Sequence, residues 1–157
     1  MNHSQSNTGA ISLPGRWFYL ITVFLLALSG FGQMPIFKRY YIADIPGLGW
    51  LAEFFVTHYI HYLGAIVMLA LAAYIVADYL ILMRRSRRMT ATGFIRLALL
   101  TGILVSGGLL VIRNLAGTHL SPGLIIFLDI THLGFVMALL FVSLYCLIAK
   151  KRWTTQR

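Results

Sequence analysis

Apolar residues are gathered into four long runs separated by short polar stretches, from Trp17 to about Phe31, about Trp50 to Met83, Phe94 to about Ile112 and about Pro122 to Ile148. At ~1.5 Å of rise per residue, roughly 20 residues cross the hydrocarbon core of a bilayer. Each run therefore predicts a membrane-spanning helix. The second and fourth are long enough to project beyond the hydrocarbon, and the first is the shortest.

Residues 1–15 (MNHSQSNTGAISLPG) are polar and rich in Ser, Asn and Gly, which predicts a loose N-terminal tail ahead of a four-helix domain over 16–157. Ala27-Leu28-Ser29 before Gly30 has the small-x-small pattern of a signal-peptide cleavage site. A single arginine precedes the first run, however, so a retained helix is expected. The connection from Gln33 to about Gly49 carries Lys38-Arg39-Tyr40-Tyr41, Asp44 and the turn pair Pro46-Gly47. Its basic and aromatic character fits a segment that lies along the interface or docks another subunit. Pro122 suits the first turn of the last helix with Ser121 as its N-cap. No internal repeat, low-complexity tract or soluble domain stands out, and alternating crossings predict an all-α, integral membrane, antiparallel four-helix bundle.

Composition agrees: 59% of residues are hydrophobic and 11% charged, a balance that no ordinary soluble domain needs. The net charge of +9 changes the picture only through its placement. Arg84, Arg85, Arg87, Arg88 and Arg96 lie around the second connection, Lys150, Lys151, Arg152 and Arg157 follow the last run, and Arg16 precedes the first. Lys38, Arg39 and Arg113 alone fall on the other side, ten cations against three. The positive-inside rule then puts both termini in the cytoplasm, a multi-pass N-in, C-in topology, and explains the charge without nucleic acid. Cys146 is the one cysteine, so it forms no internal disulfide and reads as a packed small hydrophobe.

Against this apolar background the histidines carry the chemistry. His61 lies in FVTHYIHYLGAIVML and His132 in LDITHLGFVMALL. Counted from Trp50 and Pro122, they sit 11 and 10 residues into their helices, ~16 and ~15 Å deep. Intramembrane imidazoles at matching depth fit the two axial ligands of one haem iron. His58 is one turn shallower, and Asp129 has a comparable depth on the last helix. For His58 three roles stay open: an alternative haem ligand, a proton acceptor at a quinol site together with Asp129 and Glu53, and a satisfied structural histidine. His119 falls outside the last helix and reads as a loop residue or propionate partner. Arg113 suits a haem propionate, with phospholipid snorkelling as its competing role. Gly64 and Gly134 follow the candidate ligands by three and two residues, where a haem face needs small side chains and where helix packing in lipid needs them equally. Asp78, at the arginine-rich end of the second run, suggests a salt bridge there.

With these residues in view, the chain resembles the four-helix cytochrome b subunits of membrane-bound formate dehydrogenases, the gamma subunits, and their relatives in nickel-iron hydrogenases and thiosulfate reductases. GRWFYLITVFLLALSGFGQMP resembles that family's first helix, HYLGAIVML the second, TGILVSGGLLVIRNL the third and THLGFVMALLFVSLYCLI the fourth. The family holds two haems stacked across the membrane. Its outer-haem histidines map onto His61 (or His58) and His132, whereas its inner-haem positions fall at Arg16 and at Ser143 to Cys146, where no histidine stands. The resemblance thus implies one outer-side bis-His haem b and a missing inner haem, unless Cys146 substitutes. Electron exchange with quinone is then expected near the outer side.

The expected function is a haem b electron-transfer subunit of a respiratory redox complex, not a stand-alone enzyme. It would connect the quinone pool with an iron-sulfur or cytochrome partner that is periplasmic or membrane-associated. Two other classes compete: a haem-free membrane anchor or assembly subunit, and a small proton-coupled transporter using His58 and Asp129. The internal repeats and broken helices common in transporters are not evident.

Overall fold

Four predominantly apolar stretches form four helices long enough to cross a bilayer: Gly15–Gly32, Phe54–Met83, Ala91–Arg113 and Pro122–Ile148. In the computed structural model, which describes residues 13–83 and 85–156, the chain order is α1 (Leu13–Gly32), a short α2 (Ile36–Arg39), α3 (Phe54–Asp78), β1 (Arg87–Met89), α4 (Ala91–Arg113), α5 (Pro122–Ile148) and β2 (Thr154–Gln156). The last turn of α3 widens into a π-helical turn over Tyr79–Met83. Expectations about residues 1–12, His3 included, lie outside the described residues. The proposed tail extends to residue 15, yet Leu13–Gly15 already belong to α1.

Two details differ from the sequence expectation. The second long helix starts at Phe54 and not near Trp50, because Gly49–Ala52 is wound as a separate 3-10 turn. Hydropathy alone does not separate the two, since both are apolar. The spans are helical as an all-α fold requires, but β1 and β2 add a two-stranded antiparallel ribbon that pairs Arg87 with Gln156 and Met89 with Thr154.

The chain divides into two compact units that meet between Leu82 and Met83. In the first, α1 packs on α3. Gly64 lies against Leu26, where an added Cβ would stand 3.1 Å from the leucine side chain, and Gly32 receives Leu51 and Thr57. Leu51, Thr57 and Ser29 are fully buried. The connection between the helices contains a turn closed by Leu48 N–H donating to the Ile45 carbonyl at 2.9 Å. Gly47 supplies the positive φ, +88°, that such a turn demands after Pro46.

In the second unit α4 packs on α5. Gly102 faces the Phe135 ring, with room for no Cβ: one would stand 2.8 Å from the ring. Thr90 caps α4 by accepting from Gly93 N–H at 3.0 Å. Ser121 caps α5 ahead of Pro122, as its sequence suggests. At its other end α5 closes in a Schellman motif, with Lys151 N–H donating to the Cys146 carbonyl at 2.8 Å and Lys150 left-handed at φ 51°. Cys146 is buried there, the packed role its surroundings suggest. In both units the interior is lined by small and hydroxylated residues, while Phe55, Ile66, Ile126 and Phe141 point outward. That inversion of a soluble core is what a lipid environment allows.

Candidate functional site

Each unit builds the same arrangement around a histidine. In the first, Ser29 on α1 lies 3.1 Å from His61 Nδ1 on α3. The serine hydroxyl has one proton, and it donates to the Leu25 carbonyl one turn back, at 2.6 Å. Its lone pairs therefore face the imidazole, so Nδ1 carries the proton and donates. In a neutral ring that leaves the lone pair on Nε2. Gly30, the next residue, lets the ring approach: a Cβ at that position would stand 3.2 Å from His61 Cε1.

The second unit repeats this with different chain. Ser106 on α4 donates to the Gly102 carbonyl at 2.7 Å and lies 2.9 Å from His132 Nδ1 on α5. Gly107 follows, and its absent Cβ would stand 3.1 Å from His132 Cε1. A Ser-Gly step on the first helix of each pair thus meets a histidine on the second, locked in one tautomer.

About one turn from each histidine, towards the connection between the helices, a second polar pair closes the same interface. In the first unit His58 Nδ1 lies 3.2 Å from Gln33 Oε1. The Gln33 amide nitrogen donates to the Ser29 carbonyl at 3.4 Å, which aims its oxygen at the histidine. The His58 ring is held between Phe54, stacked at 5.2 Å, and Tyr62, at 4.3 Å. In the second unit the corresponding pair is Arg113 and Asp129, an ion pair at 3.4 Å.

The residues singled out from sequence fall into place as follows. His61 and His132 hold the two equivalent positions. Counted from the observed helix starts, His61 is 7 residues in and His132 is 10, or ~10.5 and ~15 Å. The near-equality obtained by counting from Trp50 is thus corrected to a difference of under one turn, because the 3-10 turn at Gly49–Ala52 does not belong to the helix. His58 and Asp129 each have a partner inside their own unit, Gln33 and Arg113. Arg113 also approaches Asn114. Glu53 occupies the N-cap position of α3 without a side-chain capping bond, and its carbonyl accepts from Thr57. Gly64 is used by the contact with Leu26, whereas Gly134 has no atom within 4 Å of where its Cβ would be. Asp78 has one buried carboxylate oxygen without a hydrogen-bond partner among the described residues. Among those residues, too, no three His, Cys, Asp or Glu side chains cluster as a cage for a metal ion.

The serines were missed by sequence reasoning. A signal existed: Ser29-Gly30 and Ser106-Gly107 repeat on alternate apolar runs, and His61-Tyr62-Leu63-Gly64 has a shorter echo in His132-Leu133-Gly134. The repeat is one of constellation and not of period, since serine and histidine are 32 residues apart in one unit and 26 in the other.

No family model matches the chain, and neither does any curated protein or solved structure. Four helices are long and apolar enough to cross a membrane, as a multi-pass membrane protein requires.

Proposed function

We propose that the chain is an electron-transfer subunit of a membrane redox complex that carries one haem b, with His61 and His132 as its axial ligands. The observation that carries this reading is the repeated Ser–Gly/His arrangement, in which a serine hydroxyl meets the histidine Nδ1 in each unit. Metal-ligating histidines are characteristically fixed through their other ring nitrogen in this way. Two neutral imidazoles suit an iron porphyrin better than a bare ion, which would call for three or four ligands. A bound haem would supply one-electron redox chemistry.

The protein's own contribution is orientation and dielectric. Ser29 and Ser106 set the direction of each imidazole and raise its basicity, and the apolar spans exclude water. His58, braced by Gln33, Phe54 and Tyr62, is the group we assign to proton exchange with a quinone, with Asp129 and Glu53 as further candidates and Arg113 as a propionate partner. In this reading the four spans run antiparallel, both termini are cytoplasmic, and an iron-sulfur or cytochrome subunit docks on the opposite side of a bacterial inner membrane.

One observation favours a second reading. The same hydrogen bonds satisfy His61 and His132 between helices without any metal, as a haem-free anchor or assembly subunit would need. A pyridine haemochrome assay on protein purified from haem-replete cells separates the two. About one haem b per chain is expected, and a colourless preparation ends the cytochrome reading.

The serines have their own expected result. Ser29→Ala and Ser106→Ala should each weaken haem retention by roughly 10- to 100-fold. They should also raise the reduction potential, because an imidazole without its acceptor donates less charge to the iron. A redox titration that finds the wild-type potential in both variants would remove the serines from the site.

A further inference from the structure

The second unit gathers most of its basic residues at one end, with Arg113 alone at the other. Arg85, Arg87 and Arg88 precede α4, and Lys150, Lys151 and Arg152 follow α5. Between residues 83 and 157 the single acid is Asp129, 19 residues or ~28 Å along α5 from its last residue. The two basic segments are more than 60 residues apart in the chain, yet the ribbon of β1 and β2 joins them.

The junction is closely built. Thr90 Oγ1 donates to the Arg152 carbonyl at 2.8 Å, and Thr90 N–H donates to the Trp153 carbonyl at 3.0 Å. Arg96, buried in the first turns of α4, donates to the Thr92 and Lys151 carbonyls and lies 4.3 Å over the Trp153 ring. Gly93 is where the returning chain crosses α4, and a Cβ there would run into the Trp153 carbonyl. Arg96 is thereby used to fasten the tail, while Arg85, Arg88, Lys150, Lys151 and Arg152 stay exposed.

We propose that this ribbon is a docking surface for the headgroups of anionic phospholipids. It sits where two membrane-length helices begin and end, Ala91 and Ile148, so its cations lie at headgroup level. Trp153 adds the amphipathic ring typical of that depth. Guanidinium groups match phosphate oxygens two at a time, and clustered Lys and Arg beside a span attract anionic lipid. Asp129, the one acidic side chain between residues 83 and 157, stands too far along α5 to neutralise the cluster. The ribbon matters because it converts two short charge runs into one surface. The inference stands independently of whether haem binds.

The test uses the full chain in a neutral detergent, titrated with phosphatidylglycerol or phosphatidylcholine and read by native mass spectrometry. Retention of phosphatidylglycerol at a lipid concentration at least about tenfold lower is expected. The triple variant Arg88→Gln, Lys150→Gln, Arg152→Gln should lose that preference. Gly93→Ala keeps every charge but displaces the tail, and should lower the preference several-fold. Equal retention of the two lipids by the wild type, or an unchanged preference in the triple variant, overturns the proposal. Full preference in Gly93→Ala overturns the role of the ribbon and leaves only separate point charges. Displacement of the lipid by inorganic phosphate at equal phosphate concentration would make this a site for the free anion. Displacement by a poly-glutamate peptide of matched charge would reassign it to an acidic protein partner. Either outcome overturns the lipid assignment.

Discussion

Replacing either His61 or His132 by alanine is expected to take the haem content of the purified protein to background, whereas His58→Ala should keep most of it. The asymmetry follows from what surrounds each ring. His61 and His132 share a serine acceptor on Nδ1 and a glycine against Cε1, and the match recurs in two separate units. His58 is held by an amide oxygen between two aromatic rings, and the corresponding place in the other unit is taken by the Arg113–Asp129 ion pair. Only the Ser–Gly/His pair therefore offers two like ligands. Losing one of two axial imidazoles removes half the coordination that the protein supplies, so partial retention is not expected. Haem per chain, measured beside helical circular dichroism to exclude unfolding, is the readout. Full haem in the His61 variant would transfer ligation to His58, whose Nδ1 is also engaged, by Gln33 just beyond α1.

Much of the architecture was legible because the bilayer imposes a simple rule: twenty or so apolar residues in a row must be helical. Four spans follow from that rule, and so do the Ser121 cap and Pro122 start of α5. What escaped were features set by partners distant in the chain. The start of α3 moved from Trp50 to Phe54 because a 3-10 turn and a helix are equally apolar. The ribbon was hidden because Arg87–Met89 and Thr154–Gln156 have no strand-like pattern, and pair only once α4 and α5 bring them together. Ser29 and Ser106 were invisible for a subtler reason. A serine inside an apolar helix bonds the carbonyl one turn back whatever else it does, so only the facing helix reveals the second bond that gives each of them a role. His58 shows the same limit: its depth suggested Asp129, but Gln33, ahead of it in the chain and four residues beyond Ser29, is the group that reaches it.

The second large effect should come from filling the space beside the rings. Gly30→Leu and Gly107→Leu each place a side chain where even a Cβ would stand 3.2 Å from His61 Cε1 or 3.1 Å from His132 Cε1. The imidazole must then leave its serine, the 3.1 Å and 2.9 Å bonds to Nδ1 break, and the helices are pushed apart. Overpacking of this kind costs about 1–3 kcal/mol, offset by roughly 1 kcal/mol from replacing glycine inside a helix. Gly108 supplies the internal control. It adjoins Gly107 on the same helix and gains the same propensity on substitution, but nothing lies within 4 Å of its absent Cβ. Gly108→Leu should therefore match or exceed the wild type in thermal stability, with Gly107→Leu about 1–3 kcal/mol below it. The Gly107 variant should also lose haem along with the ring's orientation, to a degree close to His132→Ala. Indistinguishable melting curves for the Gly107 and Gly108 variants would mean that the His132 ring does not rest on α4 at all, and the tautomer lock would fall with that contact.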